Sequence, residues 1–295
     1  MQISRIARRA ARSLAGSRVR RWIRRSMQKT VPHIIEYQSR LFGTCGIEIG
    51  GPSEMFGDHG GLPLYGSLER LDNCLFSART LWTGVVQTGP CFKYDRSKPP
   101  GNQFICEASD MKSIGDSTYD CVLACHCLEH VANPLRALKE WARILKAGGQ
   151  LLIILPHKNG TFDWRRPTTE LHHIIEDNEQ NVNEDDLTHL AEVLALHDLS
   201  KDPAAGTLEE FRRRCLDNQT NRAMHHHVFD TFSAVALLDH AGFEVIMVDT
   251  VKPFHIVILA RRCQGVPDNK RFFDPGAESY RNSSFASDRL RFRRK

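Results

Sequence analysis

The 295-residue chain lacks any apolar run near the ~20 residues needed to span a bilayer, so no membrane-spanning helix is expected. It lacks a Cys-x-x-Cys pair, and Cys121, Cys125 and Cys127 have the wrong spacing for a zinc ribbon. It lacks a His-Glu-x-x-His segment, so no metal-ligand set is expected. It shows no internal repeat. No acidic residue precedes Glu36, and the same stretch has no apolar core of the kind a secretory signal carries. What remains is enough hydrophobic content, 41%, for a sizeable core. The nine cysteines are odd in number, scattered, and several sit in strand-like apolar segments. They read as reduced core cysteines of a soluble cytoplasmic protein.

The net charge of +5 is unevenly spread. Residues 1–40 form a basic extension in which Ile3, Ile6, Ala10 and Leu14 follow a helical stripe among many arginines. Three readings stay open: peripheral membrane contact through residues 1–30, an organellar targeting segment, or a solvated basic arm. Nucleic acid is not expected as a partner, because aromatics are not interleaved with the basic residues beyond Trp22. Oligomeric state is not legible.

Residues 41–262 alternate apolar runs, turns and helices as βαβ units do, with a polar, His-rich helical insertion at 159–224. Strands are expected at 46–50, 68–72, 103–107, 119–125, 151–155, 243–248 and 255–260. Asn133 caps a helix with Pro134 at its first position, and Gly148-Gly149 is expected to end it. Residues 263–295 lack apolar periodicity and are expected to be a disordered polar tail.

Ligands of an open α/β sheet sit beyond the strand carboxyl ends. The first such turn is Glu48-Ile-Gly50-Gly51-Pro52-Ser53. Asp72 lies 22 residues after Gly50, near the expected end of the second strand, where a carboxylate can accept ribose hydroxyls. Pro52 argues against a dinucleotide, whose pyrophosphate needs close backbone approach at that place.

The segment from Asp120 to Pro156 carries Leu128, Glu129, His130, Val131, Pro134, Leu138, Glu140, Arg143, Leu145, Lys146, Gly148, Gly149 and Leu151 in one register. That register closely resembles class I S-adenosylmethionine-dependent methyltransferases of the type 11 group, and the resemblance extends over about residues 44–262. It implies a Rossmann-like seven-stranded sheet with helices on both faces and strand seven antiparallel between five and six. It implies S-adenosylmethionine as cofactor. The family's acid-x-Gly-x-Gly-x-Gly turn is kept at Glu48 and Gly50, with Gly51 adjoining, but Pro52 and Glu54 replace the later glycines. By the same resemblance Glu107 would take the adenine amino group, Ala108 to Met111 would flank the ring, and Cys125 and His126 would face the sulfonium.

Eight of the chain's 14 histidines fall within residues 157–227. Methyl transfer to a hydroxyl needs a base as well as alignment. His157 or His173 is the expected base, with Asp163, Arg166 and Asn221 nearby. A metal held by histidines and carboxylates is the competing arrangement, disfavoured by spacing. The acceptor is expected to be a hydroxylated small molecule or a glycan. The alternative is a non-catalytic protein of the same fold, held at a membrane surface by its basic arm.

Overall fold

The computed structural model describes residues 30–291. The basic arm's reading over residues 1–29 therefore lies outside the described residues. The arm's last part is not an appendage: helix α1 (Ile34–Leu41) buries Tyr37 and Leu41 completely against the sheet. The domain thus begins before residue 41.

β1 (Cys45–Ile49), β2 (Arg70–Leu75), a small hairpin of β3 (Arg79–Thr80) and β4 (Gly84–Val85), β5 (Gly89–Phe92), β6 (Gly101–Ile105) and β7 (Tyr119–Cys125) follow in order. Helix α2 (Pro134–Ile144) leads into β8 (Leu145–Pro156). The insertion holds α3 (Leu171–Glu179), α4 (Leu190–Leu196), α5 (Leu208–Leu216) and α6 (Asn218–Asn221). Helix α7 (Thr231–His240), β9 (Phe243–Val251) and β10 (His255–Arg262) complete the sheet, and short helices α8 (Glu278–Arg281) and α9 (Ala286–Leu290) lie in the tail.

The main sheet runs β5-β6-β2-β1-β7-β8-β10-β9. β6, β2, β1, β7 and β8 are parallel, and β10 pairs antiparallel with both β8 and β9. This is the expected order with strand seven inserted, plus one unexpected antiparallel edge strand, β5. Alternation along β7 and β8 divides the core. Val122, Ala124, Leu151 and Ile153 face the layer containing α2 and α7, whereas Cys121, Leu123, Leu152 and Ile154 face the layer containing α1. Helix α2 forms as its sequence dictates. The Arg136 N–H donates to Asn133 Oδ1 at 3.0 Å, and Leu135, Leu138, Trp141 and Ile144 form its buried face. It stops at Ile144, before Gly148-Gly149, because Ser117 and Thr118 N–H groups take its last carbonyls. Gly148 instead supplies a left-handed residue (φ +74°) at the start of β8.

The tail corrects the expectation of disorder. Phe272, Tyr280 and Phe285 are buried, and Asn269 accepts from the Val245 N–H at 2.7 Å. These anchors have no helical or strand period, so patterning alone does not reveal them.

Candidate active site

The carboxyl ends of β1, β2, β6 and β7, with the amino end of antiparallel β10, surround a cavity of about 400 Å³. Its floor is Gly50, Leu75-Phe76 and Cys106 to Ala108; its other side is Cys125 to Cys127, His130 and His255. The hairpin β3–β4 places Trp82 over it, with the indole 5.6 Å from the His130 ring. Of the residues expected to bind cofactor, Gly50, Glu107, Ala108, Cys125 and His126 line this cavity.

The turn after β1 is built differently from a glycine-rich one. Gly50 is left-handed (φ +85°), and its N–H donates to the Cys74 carbonyl. The Gly51 N–H donates to Asn73 Oδ1 at 3.0 Å, and Asn73 Nδ2 donates back to the Gly51 carbonyl. Glu48 does not line the cavity. Its buried carboxylate lies behind the turn, accepting from Ser53 N–H, Ser53 Oγ and the Tyr65 hydroxyl at 3.1, 2.6 and 2.7 Å. Burial pushes Glu48 up to about 7 against those hydrogen bonds. A Cβ on Gly51 would come 2.2 Å from Glu48 Oε2, so Gly51 is small to admit Glu48 and does not line the cavity.

Asp72 is a second correction. It lies inside β2, pointing away from the cavity toward a separate surface hollow. It accepts from Arg70 Nη2 at 2.8 Å, the Tyr119 hydroxyl at 2.8 Å and the Asn102 N–H at 2.8 Å. It is a satisfied structural carboxylate, not a ribose ligand. Strand β2 runs to Leu75, three residues beyond its expected end, so Phe76 occupies the place assigned to Asp72. Met111 is a third correction: it is fully buried in the core, with its N–H on Glu140 Oε2.

None of the four expected catalytic residues lines the cavity. His157 is buried by the tail, its ring stacked on Phe285 at 3.8 Å and its Nε2 3.2 Å from Asp288 Oδ1. His173 faces His189 within the insertion, Nε2 to Nε2 at 3.2 Å. Asp163 and Arg166 form a buried hub. Arg166 donates to Asp163 Oδ1, to the carbonyls of His225 and His226, and to Glu192. Asp163 Oδ2 is 2.6 Å from His225 Nδ1. Burial opposes ionisation of Asp163, but His225 and Arg166 outweigh it and hold the carboxyl at about 2. Burial likewise opposes charging of His225, and Asp163 raises it nonetheless. The His225 ring then touches His130, 4.5 Å between centroids, so the hub stands one residue behind the cavity wall.

Four further polar residues line the cavity. Arg222, left-handed at φ +53°, reaches from the end of the insertion to pair with Glu107 at 2.5 Å and lies over the Phe76 ring at 5.2 Å. Glu184 accepts the Ala132 N–H and lies 3.5 Å from Arg222 Nη1; burial pushes it up to about 7. His130 holds the Met224 carbonyl through Nδ1 at 3.2 Å. His255 Nδ1 is 2.9 Å from His126 Nε2, and burial with the His126 charge lowers it to about 3. Glu184 and Arg222 belong to the His-rich zone, His130 to the Asp120–Pro156 register and His255 to the last strand; pairings over 115 and 129 residues have no local signature.

The cavity suits a nucleoside with a charged tail. Apolar Leu75 and Phe76 offer a face for an aromatic base, and Glu107 offers a carboxylate at its edge. Arg222 Nε and Glu184 Oε2 are buried without a hydrogen-bond partner among the described residues, the mark of a wall built for a polar ligand.

Residues 89–153, from β5 into β8, match a family model described as a methyltransferase domain. No curated protein sequence matches the chain. Solved structures with a similar fold include an S-adenosylmethionine-dependent methyltransferase of Methanosarcina mazei, 16% identical, covering 80% of this chain and 100% of that one with a TM-score of 0.43. Another, from Mesorhizobium loti, is 12% identical and covers 78% and 96% with a TM-score of 0.43. A third, from Aquifex aeolicus, is 13% identical and covers 78% and 87% with a TM-score of 0.37. The match over residues 89–153 and the strand order, rather than these distant likenesses, support an S-adenosylmethionine-dependent methyltransferase of class I, an enzyme with S-adenosylmethionine as cofactor. The altered glycine turn is accounted for by Glu48 and Asn73. Among the described residues no helix is long and apolar enough to cross a membrane.

Proposed function

We propose that the enzyme methylates a hydroxyl oxygen of a small molecule or glycan, with His126 as the base. The observation that carries this reading is the conformation of His126. It sits at the end of β7 in the left-handed region (φ +51°), a strained state for a non-glycine residue, with its N–H fixed to the Ile154 carbonyl at 2.9 Å. That backbone directs the ring to the cavity wall between Glu129 and His255.

S-adenosylmethionine supplies an electrophilic methyl group, and C–S cleavage returns the bonding pair to sulfur. The acceptor oxygen forms the new C–O bond and must lose its proton. Glu129, buried 3.4 Å from His126 Nδ1, orients the ring so that Nδ1 donates and Nε2 is the basic nitrogen. Burial opposes ionisation of Glu129, but the His126 hydrogen bond together with the nearby His130 and His225 outweighs it, holding the carboxyl below its ordinary range. His255, held neutral, donates to Nε2 until the acceptor hydroxyl takes its place. Gly50, Phe76, Glu107 and Ala108 would hold the cofactor at the opposite side, and Arg222 would close over it from the insertion.

The test is incubation with methyl-labelled S-adenosylmethionine and a panel of hydroxylated small molecules and glycans. Label recovered as a methyl ether supports the reading. Label found only on nitrogen or carbon of an acceptor overturns the oxygen assignment.

A further inference from the structure

We propose that His173, Asp177, His189 and His227 form a divalent-cation site of zinc type that fastens the insertion to the domain. His173 and Asp177 are four residues apart on one face of α3. His189 immediately precedes α4, and His227 lies on the extended segment after the insertion, where Thr169 N–H donates to the Val228 carbonyl. One ligating atom from each lies within 4.8 Å of every other. His173 Nε2 is 3.2 Å from His189 Nε2 and 3.5 Å from Asp177 Oδ2; His227 Nε2 is 3.8 Å from Asp177 Oδ2. Ligands about 2.0–2.1 Å from a tetrahedral zinc stand about 3.3–3.4 Å apart, so these separations already approximate the edges of such a tetrahedron.

The polar accounting independently points to a cation. Asp177 Oδ2 is buried and has no hydrogen-bond partner among the described residues, although three imidazoles surround it. His227 Nε2 is 3.1 Å from the Ala132 carbonyl, a contact that metal binding would exchange for coordination. Three imidazoles and one carboxylate suit zinc better than calcium or magnesium, which take oxygen-rich shells.

Four protein ligands make a closed site, and none of them lines the cavity. The function is therefore to hold geometry. Glu184 and Arg222, the residues that the insertion places in the cavity wall, each lie five positions before a ligand, His189 and His227. One ion would fix both.

The experiment uses the full-length chain without a polyhistidine tag. After equilibration with Zn²⁺ and gel filtration, mass spectrometry should find about one zinc per chain. Cobalt loading should give the intense visible bands of a tetrahedral ion, and a chelator should lower the melting temperature. His173→Gln changes a half-exposed ligand and should weaken zinc binding by more than about tenfold, because even outer partners of a metal are worth that much. His172→Gln, on the exposed neighbouring histidine, should leave binding unchanged. Wild-type protein that retains no zinc and shows no tetrahedral cobalt spectrum overturns the proposal without reference to any variant. Equal binding by wild type and a folded His173→Gln protein, or equal loss in His172→Gln, overturns it as well.

Discussion

The stretch from β7 to β8 and the insertion that follows it are assembled in opposite ways. In the first, neighbours in sequence are neighbours in space: Asn133 caps the helix it begins, and Leu135, Leu138 and Trp141 share one face. In the second, polar residues meet partners far along the chain. Asp163 reaches His225 across 62 residues, and Arg222 reaches Glu107 across 115. The first region defines the enzyme class because its physics is local and periodic. The second shapes the cavity wall because buried charge must find a partner wherever the fold brings one.

The contrast can be broken by substitution. The largest effect is expected at His126. His126→Asn keeps a residue that tolerates the left-handed backbone but removes the base. Turnover should fall by about 10²–10⁴-fold while cofactor affinity stays within a few-fold, measured by steady-state kinetics and titration calorimetry. Unchanged turnover would discard His126 as the base.

Arg166→Met comes next. It leaves Asp163 buried without its guanidinium, and the chain should lose about 3–5 kcal/mol in denaturant unfolding. A loss below about 1 kcal/mol, the worth of an exposed pair, would show that the hub is solvated and the insertion loosely held.

Glu48 tests the turn on the other side of the cavity. Folded Glu48 keeps its proton to about pH 7, whereas the unfolded side chain loses it near its ordinary 4.5. The folded state therefore binds more protons between those values, and stability should fall as pH rises through that window, by about 3 kcal/mol in total. Glu48→Gln should flatten this part of the stability–pH curve. A parent curve without that decline would mean that Glu48 is ionised in the folded protein.

The smallest effect is expected at Asp72. Asp72→Asn weakens the hydrogen bonds from Arg70 and Tyr119 and should cost about 1–3 kcal/mol of stability with cofactor affinity unchanged. A selective loss of affinity would restore its ribose role.

Much of the fold was legible because it rests on alternation and capping. β7 occupies Tyr119–Cys125 as its apolar run predicts, and α2 starts where Asn133 and Pro134 place it. The errors have a common physical origin. Asp72 and Asn73 look like the end of a strand, but Arg70, Tyr119 and Gln103 satisfy them inside it, so the strand continues to Leu75. The tail looks disordered because Phe272, Tyr280 and Phe285 have no period, yet each is buried. His157 looked available for catalysis because the tail that buries it was expected to be absent from the core. Within the site, Gly50 is marked by the turn that ends its strand, and Glu107, Ala108, Cys125 and His126, singled out by the family resemblance, line the same cavity. Glu184, Arg222 and His255 enter the wall through tertiary pairing alone, which no spacing rule encodes.

The most direct measurement is calorimetric titration of S-adenosylmethionine into the full-length protein and into Gly50→Val. Valine cannot easily adopt the φ of +85° that opens the turn, and its Cβ would meet Cys127 at 3.6 Å. Saturable binding at one site per chain, lost in a Gly50→Val protein that retains its fold by circular dichroism, is the expected result. No detectable heat at millimolar cofactor, or equal binding by the two proteins, would contradict the placement of the cofactor beside Gly50.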